Sequence, residues 1–388
     1  MSVAGTIAAI GEVALALSPW APSPKPRRVA DVDAAWLTSI LATRTAGARV
    51  LDVADRGGSS GTTDRRRIAL TWNDAGVGAG LPAHLFVKAT SPSARNRAMV
   101  AALRMAMTEV RFYEQVRPSL GDVAPRAYSA RAGHGARFVL LLDDLIEQGA
   151  APVAPGDDCT LSHARAVVDV LARLHAAYWR SPRLATDLAW ATPMIGRPGF
   201  ALLANQFRRV RRTFLTQADA RNVSPRARRM LQLLNDNDVA LYRSWSAGPQ
   251  TLVHGDSHVG STYALPDGRA GLLDWQVVFS TRGIREISYF VAGALGRELR
   301  RANERDLVQR YVDGLTKAGV PDPPTFEQAW DDYRFFVHDA WDSVASTMLW
   351  SGLHLPEVLA AGYQRASAAV DDLAVDEIVE RRVKDGYR

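Results

Sequence analysis

The 388-residue chain reads as an α+β protein in which a small antiparallel sheet carrying one main helix precedes a larger, mostly helical region. Three observations lead there. Strand-like runs cluster between residues 48 and 142 around a single long amphipathic stretch, helical periodicity dominates beyond residue 144, and one island of short strands, 251–274, interrupts it. The length exceeds an ordinary single domain. With 47% apolar and 23% charged residues the chain can bury large cores, which excludes disordered, collagen-like and coiled-coil classes. The expected divisions are a helical extension over 1–45, a sheet domain over 46–143 and a helical domain over 144–388.

Residues 3–17 are apolar, but they lack a basic leading segment and Glu12 interrupts them, so they read as a short helix and not as an export signal. Breakers from Ser18 to Pro26 form a linker, and a helix is expected from Val32 to Leu41. Strands follow at 48–53, 67–72 and 84–90, with a glycine- and serine-rich loop, Gly57 to Thr62, between the first two. Apolar residues at Met99, Leu103, Ala106, Val110 and Tyr113 predict one helix over 96–117, stopped by Pro118. Strands at 127–130 and 137–142 complete the sheet. Helices are expected at 162–179, 205–215 and 226–245, and again from Ile284 onward. Within the island, Tyr263–Leu265 and Gly271–Leu273 flank Pro266-Asp267-Gly268-Arg269, the pattern of a hairpin.

Charge and cysteine usage narrow the class further. The 47 Lys and Arg exceed the 41 Asp and Glu, a net charge of +6. The basic clusters Arg65-Arg66-Arg67 and Arg208, Arg209, Arg211, Arg212 raise a nucleic-acid-binding reading, which their scatter and their lack of interleaved aromatics argue against. A single cysteine, Cys159, has no intramolecular disulfide partner, and no zinc-ligand spacing occurs. No run of about 18 apolar residues is present. The expectation is a cytoplasmic protein with no membrane partner, monomeric or homodimeric. Only four of the basic residues are lysine, and one of them, Lys88, closes the apolar run Leu85-Phe86-Val87, where partial burial is expected.

The strongest constellation is His254-Gly255-Asp256 with Asp274-Trp275 downstream. A carboxylate just after a strand, followed by a hairpin that ends in a second one, suits a base that accepts a hydroxyl proton and a ligand for Mg2+. Phosphoryl transfer requires a phosphate-covering loop, a strand lysine, a helix glutamate that holds it, and metal-binding carboxylates. The chain presents these in order as Gly58, Ser59, Ser60 and Gly61, then Lys88, Glu109, Asp256 and Asp274. The loop is not of G-x-G-x-x-G form and counts as weak support. Neither a Walker A nor a G-x-S-x-G motif occurs, which removes the P-loop and nucleophile-elbow alternatives.

His254-Gly255-Asp256-Ser257-His258 and Leu273-Asp274-Trp275, with Leu171-Ala172-Arg173-Leu174-His175-Ala176 and Glu109-Val110-Arg111-Phe112-Tyr113 upstream, resemble the aminoglycoside phosphotransferase and choline kinase-like family, including its ecdysteroid kinase-like branch. The resemblance covers about residues 48–295. It implies a protein-kinase-like fold with ATP and Mg2+ as cofactors and a small-molecule hydroxyl as acceptor. By that likeness Lys88 would contact the ATP phosphates, Glu109 would position it, Asp256 would be the base and Asp274 the Mg2+ ligand. A hinge at Asp143, Asp144 and Leu145 would read adenine. His254 and His258 become accessory candidates, and Trp341, Asp339 and Asp342, among Tyr333, Phe336 and Trp350, candidates for an acceptor wall. One position departs from the pattern. Five residues after the catalytic Asp, protein kinases place an Asn on the second Mg2+, where this chain has Ser261. A weakened, nucleotide-binding relative is the alternative that this substitution raises.

Overall fold

The computed structural model describes residues 3–154, 156–157, 159–197, 199–349 and 355–386. The chain divides into two compact units, residues 1–150 and 151–388. The first contains helices α1 (Val3–Leu17), α2 (Ala34–Leu41), α3 (Asp74–Gly78), α4 (Ala94–Ala102) and α5 (Met105–Arg111). Its strands are β1 (Val50–Ser60), β2 (Thr63–Trp72), β3 (His84–Thr90), β4 (Ala127–Ala132) and β5 (Phe138–Asp143). They form one antiparallel sheet in the order β1-β2-β3-β5-β4.

Alternation along β3 explains how the sheet is covered. Leu85, Val87 and Ala89 are fully buried and join Ile68, Leu70, Val139 and Leu141 in a core closed by Leu37 and Leu41 of α2. With a side-chain period of two, Lys88 must point to the opposite face, where α5 packs on β4 and β5. Residues before 45 therefore take part in the unit: α2 supplies one wall of its core, and α1 packs on α4.

Two local expectations change. The helix expected over 96–117 is interrupted, because Arg104 adopts a left-handed conformation (φ 53°) between α4 and α5, and the chain beyond Arg111 widens into a π-turn, Phe112–Val116. Apolar periodicity passes through such a break unchanged, so it cannot report one. The glycine-rich loop is mostly strand. Gly58, Ser59 and Ser60 pair with Arg66, Arg65 and Asp64, and only Gly61 and Thr62 make the turn. Gly58 is required there, since a Cβ would lie 2.0 Å from the Arg65 carbonyl oxygen. The tip is tethered where the Gly61 carbonyl accepts from Asn96 Nδ2 (2.6 Å) and Ser91 Oγ (2.9 Å).

The second unit contains β6 (Ala151–Pro152), α6 (Leu161–Ala177), α7 (Phe200–Thr216), α8 (Pro225–Asp236), α9 (Asp238–Ser244), β7 (Thr251–Val253), β8 (Thr262–Ala264), β9 (Ala270–Leu272) and β10 (Phe279–Thr281). Helices α10 (Ile284–Ala294), α11 (Arg297–Lys317), α12 (Phe326–Leu349), α13 (Pro356–Asp372) and α14 (Val375–Lys384) follow. The helix expected over 226–245 is split at Asn237 (φ −125°), and the short strands β6 and β10, too brief to carry a pattern, were not anticipated. β7 pairs with β10, and β8 with β6 and β9, the second pairing being the expected hairpin. α10 is the central helix. Every residue from Ile284 to Ala292 is buried, Arg285 and Glu286 included. The α+β class, the small antiparallel sheet and the helical second unit agree with the sequence.

Candidate functional site

In the first unit, Lys88 Nζ donates to Glu109 Oε1 at 2.8 Å, with side chains 5% and 1% exposed. A buried pair of this kind stabilises little against apolar residues of similar volume, so its value lies in fixing the position of the ammonium group. The expected hinge residues are held by side chains. Asp143 accepts from the Tyr128 hydroxyl (3.0 Å) and the Arg126 N–H (3.1 Å), and buried Asp144 accepts from Arg67 Nε at 2.7 Å. Leu145 contributes its carbonyl to the turn that follows, accepting from Gln148 and Ala150.

In the second unit the chain leaves β7 through His254-Gly255-Asp256 and reaches Asp274 two residues beyond β9. Glu286 of α10 supports the first segment, its two oxygens accepting the His254 N–H at 2.7 Å and the Gly255 N–H at 2.8 Å. Arg285 donates to the Gly255 carbonyl at 2.9 Å. Gly255 has φ +90°, and a Cβ there would stand 2.4 Å from the Val277 carbonyl oxygen, so no other residue fits. Asp256 Oδ1 accepts from the Tyr289 hydroxyl at 2.8 Å, and its Oδ2 lies 3.9 Å from His258 Nε2.

His254 joins the two carboxylate-bearing segments. Its Nδ1 accepts from the Asp256 N–H (3.2 Å), so Nε2 carries the proton donated to the Leu273 carbonyl (2.6 Å), one residue before Asp274. Burial pushes this imidazole down and keeps it neutral. The Ser261 carbonyl accepts from the Leu273 N–H at 2.8 Å, a second tie between the segments. Burial alone would raise the Glu286 carboxyl, but the hydrogen bond and charge of His175, together with Arg285, hold it at about 2. Glu286 is thus a fixed anion beneath the loop.

Sequence reasoning missed Arg285, Glu286 and Tyr289. A signal was present: two adjacent charges inside the apolar helix Ile284–Ala294 require a buried purpose. The acceptor wall needs correction. Asp342 is bound by Arg211 and Asp339 by Arg285 (2.5 Å), while Trp341 is fully enclosed and donates to Ser367 Oγ (3.1 Å). Their charges are neutralised inside the unit, and Tyr333 and Phe336 are likewise buried. Trp350 lies outside the described residues. The basic clusters are also partly committed, Arg66 to Asp55, Arg67 to Asp144, Arg208 to Asp238 and Arg211 to Asp342.

No group of three or more His, Cys, Asp or Glu side chains among the described residues could hold a metal by itself. Mg2+ in phosphoryl-transfer sites needs only one or two carboxylates, with substrate phosphates and water supplying the rest. Asp274 fits that requirement: it is half-buried and adopts a left-handed conformation (φ 64°), uncommon for a residue with a side chain. Ser261 does not fit a second site of the kinase type. It is 2% exposed and its hydroxyl lies 3.3 Å from His258 Nε2.

A family model described as the ecdysteroid kinase-like family matches residues 66–319. No curated protein matches the sequence. Among solved structures, an ethanolamine kinase from Plasmodium vivax is 14% identical, covering 82% of this chain and 81% of its own, with a TM-score of 0.47. A choline kinase from Streptococcus pneumoniae is 11% identical over 87% of this chain and 97% of its own (TM-score 0.43). A spectinomycin phosphotransferase in complex with ADP and spectinomycin is 12% identical over 90% and 98% (TM-score 0.44).

Proposed function

The chain belongs to the ecdysteroid kinase-like family, and from that premise we propose that it is an ATP-dependent phosphotransferase acting on a hydroxyl group of a small molecule. The observation that carries the reading is the anchored Asp256, which follows two residues whose N–H groups are clamped to Glu286 of α10 and which keeps one oxygen of its own carboxylate away from the Tyr289 contact. In the proposed reaction the acceptor oxygen bonds to the γ-phosphorus as the bond to the ADP oxygen breaks, and Asp256 takes the proton that leaves the hydroxyl. Lys88, placed by Glu109, contacts the phosphates and offsets their charge. Asp274 would hold Mg2+, which when bound supplies charge neutralisation at the phosphates.

A second reading rests on Ser261. Its buried hydroxyl near His258 gives no substitute for an amide ligand, so a nucleotide-binding protein with weak turnover is the alternative. One experiment separates them. A panel of hydroxylated compounds is screened for ATP consumption with Mg2+, alongside calorimetric titration with ADP and Mg2+. Acceptor-dependent turnover that disappears in Asp256→Asn supports the kinase; nucleotide binding without turnover on any acceptor favours the second reading.

A further inference from the structure

Asp256 has two oxygens, and their surroundings are unequal. Oδ1 accepts a 2.8 Å hydrogen bond from Tyr289, a residue only 7% exposed, whereas Oδ2 lies on the His258 side at 3.9 Å from Nε2. The phenol is itself fixed from three directions. Its oxygen is 2.7 Å from Ser343 Oγ on α12, its ring lies 4.5 Å beneath the Arg285 guanidinium, and its backbone sits in the central helix that also carries Glu286. We propose that Tyr289 is a positioning residue that fixes the rotamer of Asp256 and assigns the two oxygens, Oδ1 to the protein and Oδ2 to the proton of the acceptor hydroxyl.

The chemistry follows from the donor count. A tyrosine hydroxyl has one proton, and since Asp256 is a carboxylate that only accepts, that proton is committed to Oδ1; the Ser343 hydroxyl must then donate to the tyrosine oxygen. Burial and the Asp256 charge push the phenol well above its ordinary value, so it remains a donor throughout the range in which the enzyme would work. An oxygen that already accepts a charge-assisted bond is the weaker base, and the neighbouring oxygen takes the incoming proton. A carboxylate free to rotate about its χ2 would present either oxygen, at the wrong angle part of the time, and lose the orientation on which general-base efficiency depends.

The inference rests on the reading of Asp256 as the base, and the test separates the two. ATP hydrolysis with water as acceptor is followed with Mg2+ in the wild type and in Asp256→Asn, Tyr289→Phe, Ser343→Ala and Asp256→Asn/Tyr289→Phe, with melting temperature and affinity for ADP and Mg2+ measured on each. Tyr289→Phe is expected to lower kcat on the order of 10- to 100-fold, the worth of one hydrogen bond to a charged group, while KM for ATP and ADP affinity stay within about twofold. Ser343→Ala, which removes the hydroxyl 2.7 Å from the phenol's oxygen, is expected to fall between Tyr289→Phe and wild type. The double variant is expected to be no slower than Asp256→Asn alone, because Tyr289 acts through that carboxylate. Wild-type kcat in Tyr289→Phe, or a loss of ADP affinity and melting temperature in parallel with kcat, overturns the inference and leaves the base in place. Turnover in Asp256→Asn equal to wild type, or no turnover dependent on Asp256 at all, overturns the base reading, and the inference falls with it.

Discussion

Replacing Glu286 by Gln removes one charge and one acceptor from beneath the His254-Gly255-Asp256 segment. Both oxygens of the native carboxylate accept backbone N–H groups, at 2.7 and 2.8 Å, inside a helix with no exposure at this position. Glutamine retains one of these bonds and turns its NH2 against the other N–H. A buried donor left facing a donor costs about 1–3 kcal/mol, and a hydrogen bond to a charged group is worth about 1.5–3 kcal/mol. The carboxyl's own titration gives a second figure. Despite burial, His175 and Arg285 hold it at about 2 against an ordinary 4.5, and a displacement of that size corresponds to about 3 kcal/mol. Because the folded value is the depressed one, this stabilisation is complete above about pH 4.5 and is lost as the pH falls toward about 2. Urea unfolding of Glu286→Gln and wild type, followed by a probe in the second unit, should therefore differ by about 3 kcal/mol near pH 7, with the gap closing below about pH 4.5. A gap under about 1 kcal/mol near neutrality, or one that stays constant into the acid range, refutes the account of Glu286 as a buried anion held by its surroundings.

Gly255→Ala places a methyl group 2.4 Å from the Val277 carbonyl at φ +90°; the variant should lose ATP turnover and several degrees of melting temperature, whereas Gly268→Ala in the exposed hairpin turn, where φ is +82° but nothing lies within 4 Å, should melt only slightly lower and keep its turnover. Ser261→Asn adds an amide at a site 2% exposed and displaces the His258 contact. If a missing second metal ligand limits the rate, the Mg2+ concentration for half-maximal ATP turnover should fall in this variant, and an unchanged Mg2+ dependence removes Ser261 as the cause of any weakness.

The legible parts of this chain were those written in short-range pattern. β3 announced itself through the apolar run Leu85-Phe86-Val87 closed by Lys88, and the 262–272 hairpin through its Pro-Asp-Gly turn. The order Lys88, Glu109, Asp256, Asp274 was readable because each residue sits in or just after a local element, Lys88 in β3, Glu109 in α5, Asp256 after β7 and Asp274 after β9, and Lys88 and Glu109 form a 2.8 Å pair. What remained hidden depends on long-range packing. Glu286 meets His254 from 32 residues away, and Tyr289 meets Asp256 from 33. The acidic and aromatic wall was misread for the same reason: Asp342 finds Arg211 from 131 residues distant, and a carboxylate written on a helix does not reveal whether an arginine awaits it inside.

The scarcity of lysine acquires a structural sense from the buried arginines. Arg211, Arg285 and Arg300 are at most 3% exposed, and each meets carboxylates, at Asp342, Asp339 and Glu304 with Asp372 respectively. A planar fork with five donors suits such sites, since it can satisfy both oxygens of a carboxylate or two carboxylates at once; an ammonium group is a compact point charge on a thin stem. For the phosphate contact proposed at position 88 the second geometry is the useful one, because in that role the same group would have to stay at Glu109 and still present protons to phosphate oxygens. Lys88→Arg tests this distinction. The guanidinium should keep a buried positive charge beside Glu109, so the first unit should lose no more than about 1–3 kcal/mol, the cost of overfilling a packed site. Its fork, closed on Glu109, should leave the phosphates without their contact, and ATP turnover should drop by more than about tenfold. Full turnover in Lys88→Arg would mean that charge alone is needed at this position, and that the choice of lysine over arginine carries no chemical meaning.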